Sequence, residues 1–372
     1  MPATFAKINL CAVLMLIAAL GASQARAADP LPKIPFLEAW AKSPHADAKS
    51  ESFRHWDKDG KVPKACAQCH SGDGFRDFIG ADGSAPNSVD VEPGVDSVIA
   101  CTTCHNEAAL KLNAVMFPSG ITIANTGRNT RCMTCHQGRQ SGSMVDASVE
   151  GLALDRPSDK LKFLNVHYRA AASTVWGSMT KIGYEYAGAT YHGRYEHTGK
   201  ELENKLLGCV DCHDPHSLEV RVSTCVRCHE DAVDAKSLSS IRKNKADYDG
   251  DGNVKEGIRG ELTTLQERLM TTMQIYAKRV AKKAIAYEAH TYPYFFYDSN
   301  KNDKADADEA AFKNQYKSWT PRLLKAAYNY QFALKDTGAY AHNPYYVLQL
   351  LHDSLADLSR PTKTSMKGLV RP

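Results

Sequence analysis

Five times in this chain two cysteines stand three positions apart and a histidine follows the second: Cys66-Cys69-His70, Cys101-Cys104-His105, Cys132-Cys135-His136, Cys209-Cys212-His213 and Cys225-Cys228-His229. Two thiols at this spacing can close a disulfide, supply half of a zinc site, or add to the two vinyl groups of one haem. The histidine decides among these, because in the third chemistry it reaches the iron from the face on which the thiols are attached, whereas the first two do not need it. Histidine is 14 of 372 residues, so five such placements by chance are on the order of one in ten million. The chain has eleven cysteines, and apart from Cys11 all of them lie in these motifs. Five covalent c-type haems are therefore expected, with His70, His105, His136, His213 and His229 as proximal ligands.

A haem iron takes a second axial ligand, and nine histidines remain for it: His45, His55, His167, His192, His197, His216, His290, His342 and His352. Methionine is the other common ligand. Met116, Met144 and Met179 fall in the right half of the chain, but no local context sets them apart. His45 and His55 precede the first motif and can reach back over a neighbouring haem. His216 stands too close to His213 to reach the far face of the same haem, so it suits another. His167 and His197 lie in the long interval between Cys132 and Cys209, and supplying distal ligands would give that interval a purpose. His342 precedes Asn343-Pro344, which reads as the N-cap and first residue of a helix running on from Tyr345 to Leu358. Distal candidates are thus His45, His55, His167, His197, His216 and His342. His192, His290 and His352 read as ordinary surface or structural histidines.

The elements that must hold these groups differ along the chain. Lys7, the apolar run Leu10 to Leu20 and Ala25-Arg26-Ala27 read as a cleavable secretory signal over residues 1–27, which places the mature chain in the periplasm or outside the cell. That run is about half the roughly 20 residues that span a bilayer, and nothing downstream is long or apolar enough. Residues 28–230 carry all five motifs on polar sequence with little apolar periodicity, so haem is expected to be a main part of their core. Residues 231–372 carry no motif and read as helices. Ile258, Leu262, Leu265, Leu269, Met273, Tyr276 and Val280 recur at helical spacing, as do Phe312, Tyr316, Trp319, Leu323, Tyr328 and Phe332. The expected fold is mainly α with extensive irregular loops, organised around five haems, plus this C-terminal helical region. A formal charge of +4 with no basic block interleaved with aromatics argues against a nucleic-acid role.

Two acidic loops punctuate the C-terminal region. Asp298, Asn300, Asn302, the Lys304 carbonyl, Asp306 and Glu309 take positions 1, 3, 5, 7, 9 and 12 of an EF-hand-like calcium loop, with Asp303 in place of the usual glycine; a helix is expected directly after it. Asp247, Asp249, Asp251, Gly252 and Asn253 begin a second such loop. Ile258 at its twelfth position leaves Glu256 or Glu261 to close the coordination sphere. The plainer reading of either loop is a solvated Asp/Asn turn. Structural Ca2+ is the expected occupant.

Several strings are more specific than the haem motif: Glu38-Ala39-Trp40 with Ser43-Pro44-His45, Cys132 through Cys135-His136-Gln137-Gly138-Arg139, Gly183-Tyr184-Glu185-Tyr186, Cys212-His213-Asp214-Pro215-His216 and Ala341-His342-Asn343-Pro344. In them the chain resembles the polyhaem, membrane-associated class of bacterial c-type cytochromes. The resemblance implies electron transfer in respiratory chains, often beside a membrane complex, and axial roles for His45, His167, His197, His216 and His342. With no span in the mature chain, any membrane association falls to a protein partner, a respiratory complex or another multihaem cytochrome. Closely spaced motifs, above all His213 and Cys225, favour neighbouring haems and hence a wire rather than an enzyme. Two alternatives stand beside this. A pentahaem reductase of nitrite or hydroxylamine type would need an open haem position, lined for instance by Tyr191, Arg194 and Tyr195, and usually a lysine in one motif, which is absent here. An extracellular filament of stacked haems would need haems exposed at both ends.

Overall fold

The computed structural model describes residues 33–197 and 208–372, so the signal segment expected over residues 1–27 lies outside the described residues. The chain divides into a leading unit, Met1–Glu38, and a compact unit, Ala39–Pro372, which holds every motif. Each haem motif begins on a short helix: α1 Lys64–His70, α2 Cys101–Cys104, α3 Thr130–Cys135, α4 Cys209–Cys212 and α5 Val222–Val226. The longest of these has seven residues, well below the length at which an isolated helix persists in water, so tertiary contacts must hold them. Irregular backbone joins them, together with one small antiparallel hairpin, β1 Ala114–Met116 with β2 Thr122–Ala124.

The C-terminal part is built on three long helices packed on one another: α6 Ile258–Tyr276, α7 Pro321–Lys335 and α8 Pro344–Thr362. A second hairpin, β3 Ile285–Tyr287 with β4 Phe295–Tyr297, lies between α6 and α7 in sequence. The apolar stripe of α6 is buried as its spacing predicts, at Leu262, Leu265, Leu269, Met273 and Tyr276. The stripe from Phe312 to Phe332 is helical only in its second half, which corrects the sequence reading. Thr320 is extended (φ −102°, ψ 157°) and its hydroxyl accepts from the Leu323 N–H, while Pro321 occupies the first helical position. A residue before proline avoids helical geometry, so the helix cannot extend upstream. Tyr316 and Trp319 are buried from a loop instead, and Phe312 is 61% exposed.

One apolar cluster gathers residues from both sides of position 230: Val166, Ile182, Tyr184 and Tyr191 pack into it along with Tyr276, Tyr328, Tyr346 and Leu350. The Gly183-to-Tyr186 string explains part of this union. A side chain at Gly183 would collide with Leu350 on α8, so only glycine permits the close approach. Tyr184 N–H donates to Asn329 Oδ1 (2.8 Å), Asn329 Nδ2 donates to the Tyr184 carbonyl (2.9 Å), and the Tyr346 hydroxyl donates to Glu185 (3.1 Å). Arg322, buried on α7, pairs with Asp155 (2.7 Å) and with Asp357 on α8. No helix among the described residues is long and apolar enough to cross a membrane.

Candidate functional site

The fold brings a second histidine beside four of the five motif histidines. His136 and His45 have ring centres 6.4 Å apart, His105 and His216 6.2 Å, and His213 and His342 6.3 Å. The His70 and His167 rings are 5.7 Å apart, with their Nε2 atoms at 3.4 Å. His197, lowered chiefly by burial, also feels the charges of both His229 and His342. Two imidazoles holding one metal ion from opposite sides, each through a nitrogen about 2 Å away, have ring centres about 6.3 Å apart. The three pairs at 6.2–6.4 Å match that spacing. These residues therefore fit a haem iron held between two imidazoles, with the motif thiols on one side to anchor the macrocycle. None of the ten motif cysteines is paired in a disulfide.

Burial keeps many of these rings in the neutral form that a metal takes. It lowers His45 and His167 to about 4, assisted by repulsion from His136 and His70 respectively. Burial is also the largest cause of the lowered values of His70, His136, His213, His229 and His197.

Ring orientation comes from what each Nδ1 meets. His70 Nδ1 faces the Ser52 carbonyl at 2.8 Å, His136 Nδ1 the Arg169 carbonyl at 3.1 Å, and His213 Nδ1 the Leu218 carbonyl at 3.4 Å. A carbonyl can only accept, so Nδ1 carries the proton and Nε2 is left as the metal-facing lone pair. His342 is held differently. Its Nδ1 lies 2.8 and 2.9 Å from the two oxygens of Asp336, a buried carboxylate. Burial alone would lower His342, but the charge and hydrogen bond of Asp336 outweigh it and raise the value. The ring is boxed in further by Gly338, where an added Cβ would sit 2.7 Å from His342 Cε1. The predicted cap just beyond is present: Asn343 Oδ1 accepts from the Tyr346 N–H (3.1 Å) and Pro344 starts α8.

The His136 and His167 positions depend on one another. Gly138 has φ +80°, and an added Cβ there would meet the Val166 carbonyl at 3.0 Å. Arg139 N–H donates to that same carbonyl (2.9 Å), so the segment carrying His167 is docked directly on the third motif. His167 (φ +78°) and Arg169 (φ +53°) both sit in the left-handed region, a strain of about 1–2 kcal/mol each that the docking must hold.

The motifs meet in an order that differs from their order in sequence. The Cys69 and Cys135 thiols are within hydrogen-bonding reach of each other, Cys135 Sγ also lies 3.4 Å from the Gln68 carbonyl, and Gln68 Nε2 donates to the Thr134 carbonyl (2.9 Å), joining the first motif to the third. Arg131 donates to the Cys104 carbonyl (3.2 Å), joining the second to the third. The Cys132 and Cys209 thiols interact, and Cys209 N–H donates to Asn129 Oδ1 (2.9 Å), joining the third to the fourth. Thr224 Oγ1 donates to the Asp211 carbonyl (3.0 Å), joining the fourth to the fifth, and burial, followed by the nearby Cys225 thiol, raises Cys212 to about 11. The third motif is thus the hub.

The remaining candidates lie elsewhere. His55 is not brought opposite a motif histidine; its side chain is 61% exposed and pairs with Glu51 (2.8 Å). His192 Nδ1 faces the Gly193 carbonyl, His290 N–H donates to Glu288, and His352 pairs with Asp353. Met116, Met144 and Met179 are exposed. The Tyr191 hydroxyl donates to Asp353 (2.6 Å), Arg194 lies over the Trp176 ring (4.5 Å), and Tyr195 meets His197 edge-on (5.1 Å).

The two acidic loops differ. In the earlier one, single carboxylate oxygens of Asp247, Asp249 and Glu261, and likewise of Asp249, Asp251 and Glu256, lie within 4.8 Å of one another; Asp298, Asp306 and Glu309 form no such group among the described residues. In the later loop Asn300 and Asn302 amides donate to Asp306 Oδ2 (2.7 and 2.8 Å), and Glu309 Oε1 accepts from the Ser299 N–H (2.6 Å). Asp303, in the glycine position, adopts φ +67° and is held by Lys278 (2.6 Å), and Lys304 N–H donates to Asn302. The helix expected after this loop is absent: a short 3-10 turn, Phe312–Asn314, follows, and the next α-helix waits for Pro321.

Asp336 and the carbonyls of Ser52, Arg169 and Leu218 escaped the sequence reading. A carboxylate six positions before His342 was a visible signal, whereas a backbone carbonyl has none.

No protein-family model matches the chain, and no solved structure matches it. Among curated proteins it is similar to the C-type polyheme cytochrome OmcB of Geobacter sulfurreducens, in two strains, at 24% identity over 83% of this chain and 46% of the relative. It is similar also to the C-type polyheme cytochrome OmcC of the same species, at 23% identity over 84% of this chain and 45% of the relative. The chain spans about half the length of the curated relatives it matches. Similarity over this much of the chain supports a relationship to multihaem c-type cytochromes.

Proposed function

We propose that this chain is an exported electron-transfer protein carrying five covalent c-type haems, each attached at one Cys-x-x-Cys-His motif and each held between two histidines. The observation that carries the reading is the pairing of four motif histidines with a second one, His70 with His167, His105 with His216, His136 with His45 and His213 with His342, and His197 is the candidate partner for His229. Bound haem supplies a one-electron iron couple. The chain's residues do the rest: the carbonyls of Ser52, Arg169 and Leu218 and the Asp336 carboxylate keep the Nδ1 protons in place and aim the opposite nitrogens inward. Side-by-side packing of the motifs favours a continuous path, from first and second through the third to the fourth and fifth. The names of the relatives support the same assignment.

Two axial histidines close an iron to substrate, so four pairs with a candidate for the fifth support a carrier over a reductase. They also leave little need for a histidine borrowed from a neighbouring subunit, which weighs against a filament. Its donors and acceptors would be other redox proteins, a respiratory membrane complex or further multihaem cytochromes, met in the periplasm or outside the cell. Low-temperature electron paramagnetic resonance of the oxidised protein tests this: only low-spin ferric signals are expected, and the reduced protein should not bind carbon monoxide. His342→Ala should turn one haem high-spin and open it to carbon monoxide. A high-spin signal in the unaltered protein together with nitrite or hydroxylamine turnover would refute the carrier reading.

A further inference from the structure

We propose that the loop Asp247–Asn253, closed by Glu256 just before α6 and by Glu261 in its first turn, is a calcium site. Asp249 is the shared member of both carboxylate groups, so five acidic side chains converge on one region: Asp247, Asp249, Asp251, Glu256 and Glu261. Two oxygens bound to one Ca2+ at about 2.4 Å are at most about 4.8 Å apart, and the grouped oxygens meet that limit. An oxygen-only donor set of this charge suits a hard divalent cation rather than zinc or copper.

What separates this loop from a solvated acidic turn is an orphaned oxygen inside it. Asp249 is 1% exposed, yet its Oδ2 meets no hydrogen-bond donor. Glu256 Oε1 is likewise buried and without a donor. A buried carboxylate oxygen left without a partner is costly, and a cation among these oxygens removes the cost. Among the described residues a single ion pair reaches the group, Arg242 to Glu261 at 2.5 Å.

The backbone is shaped for the same purpose. Asp247 accepts from the N–H groups of Gly250 (2.7 Å) and Gly252 (2.8 Å), both at positive φ, and Glu261 Oε2 accepts from those of Tyr248 and Asp249. A side chain at Gly260 would overlap the Glu256 carboxylate, so the glycine leaves room for that group to fold back over the helix. The loop also carries the chain's end: Gly250 packs on the Gly368 backbone, and Val370 N–H donates to the Tyr248 carbonyl (3.2 Å). An ion here would tie the first turn of α6 to the C-terminal segment.

The test is calorimetric titration of the full-length, haem-loaded protein, stripped with a chelator, with CaCl2 alone, paired with thermal unfolding. The unaltered protein should bind Ca2+ and gain several degrees in Tm. Asp249→Asn should lose one site or weaken it at least about tenfold. Glu256→Gln, a change at a half-buried position that leaves the loop backbone intact, should weaken the same site and decides the matter if Asp249→Asn does not fold. Absence of heat and of any Tm rise up to about 5 mM CaCl2 would overturn the proposal, as would unchanged stoichiometry and affinity in the folded variants.

Discussion

Replacing Asp336 by Asn keeps a hydrogen-bond acceptor beside His342 Nδ1 and removes one buried negative charge. That charge lies 2.8 Å from Nδ1, and the point midway between the His342 and His213 rings, whose centres are 6.3 Å apart, is about 7 Å from it. At an effective dielectric of about 20, a unit charge at that distance contributes about 2.4 kcal/mol. A negative charge there favours the ferric over the ferrous state, so its loss should raise that haem's potential, by about 100 mV for a one-electron couple. The assay is an optical redox titration of the unaltered protein and Asp336→Asn, fitted as five one-electron components. One component should move up by about 100 mV while the other four stay within about 20 mV. A shift spread evenly over all components, a downward shift, or none would refute the assignment of His342 as a ligand oriented by Asp336.

Gly138→Ala places a Cβ at φ +80°, 3.0 Å from the Val166 carbonyl, so it should cost about 1–2 kcal/mol in denaturant unfolding and disturb the low-spin signals of the two haems served by His136 and His167. Arg322→Ala leaves the buried Asp357 with only the exposed Arg360 at 3.8 Å and Asp155 with only the Tyr276 hydroxyl, and should cost about 3 kcal/mol, read as a lowered unfolding midpoint. The same pair sets an acid dependence. Burial acts to raise Asp155, but the Arg322 and Tyr276 hydrogen bonds win and hold it below the ordinary carboxylate value. Its contribution is therefore present above pH about 4 and lost as the pH falls below that, and Arg322→Ala should flatten this part of the stability profile.

Much of the proposed haem chemistry was legible because covalent attachment is local. Two thiols and a histidine on one short turn need no tertiary contact to be recognised. The α8 cap was equally local, since Asn343 and Pro344 act on the backbone beside them. The helical reading of residues 312–320 failed because apolar spacing alone cannot tell a helix from a loop whose aromatics are buried by tertiary packing; Thr320-Pro321 was the local signal that outweighed it. The later acidic loop was read as half of a helix-loop-helix, but no helical sequence follows Glu309 before that same proline.

From the sequence alone came the number of haem motifs, the anchoring cysteines, the proximal histidines and a pool of distal candidates, because each depends on residue type at short spacing. The fold decided which distal histidine faces which motif. It set His55 apart on the surface, brought His342 to His213 across well over a hundred residues, and made the third motif the junction of the first, second and fourth. It also decided which acidic loop converges its carboxylates. These outcomes depend on carbonyls, glycine clearances and helix contacts that meet only when distant segments pack, and sequence spacing carries no record of them.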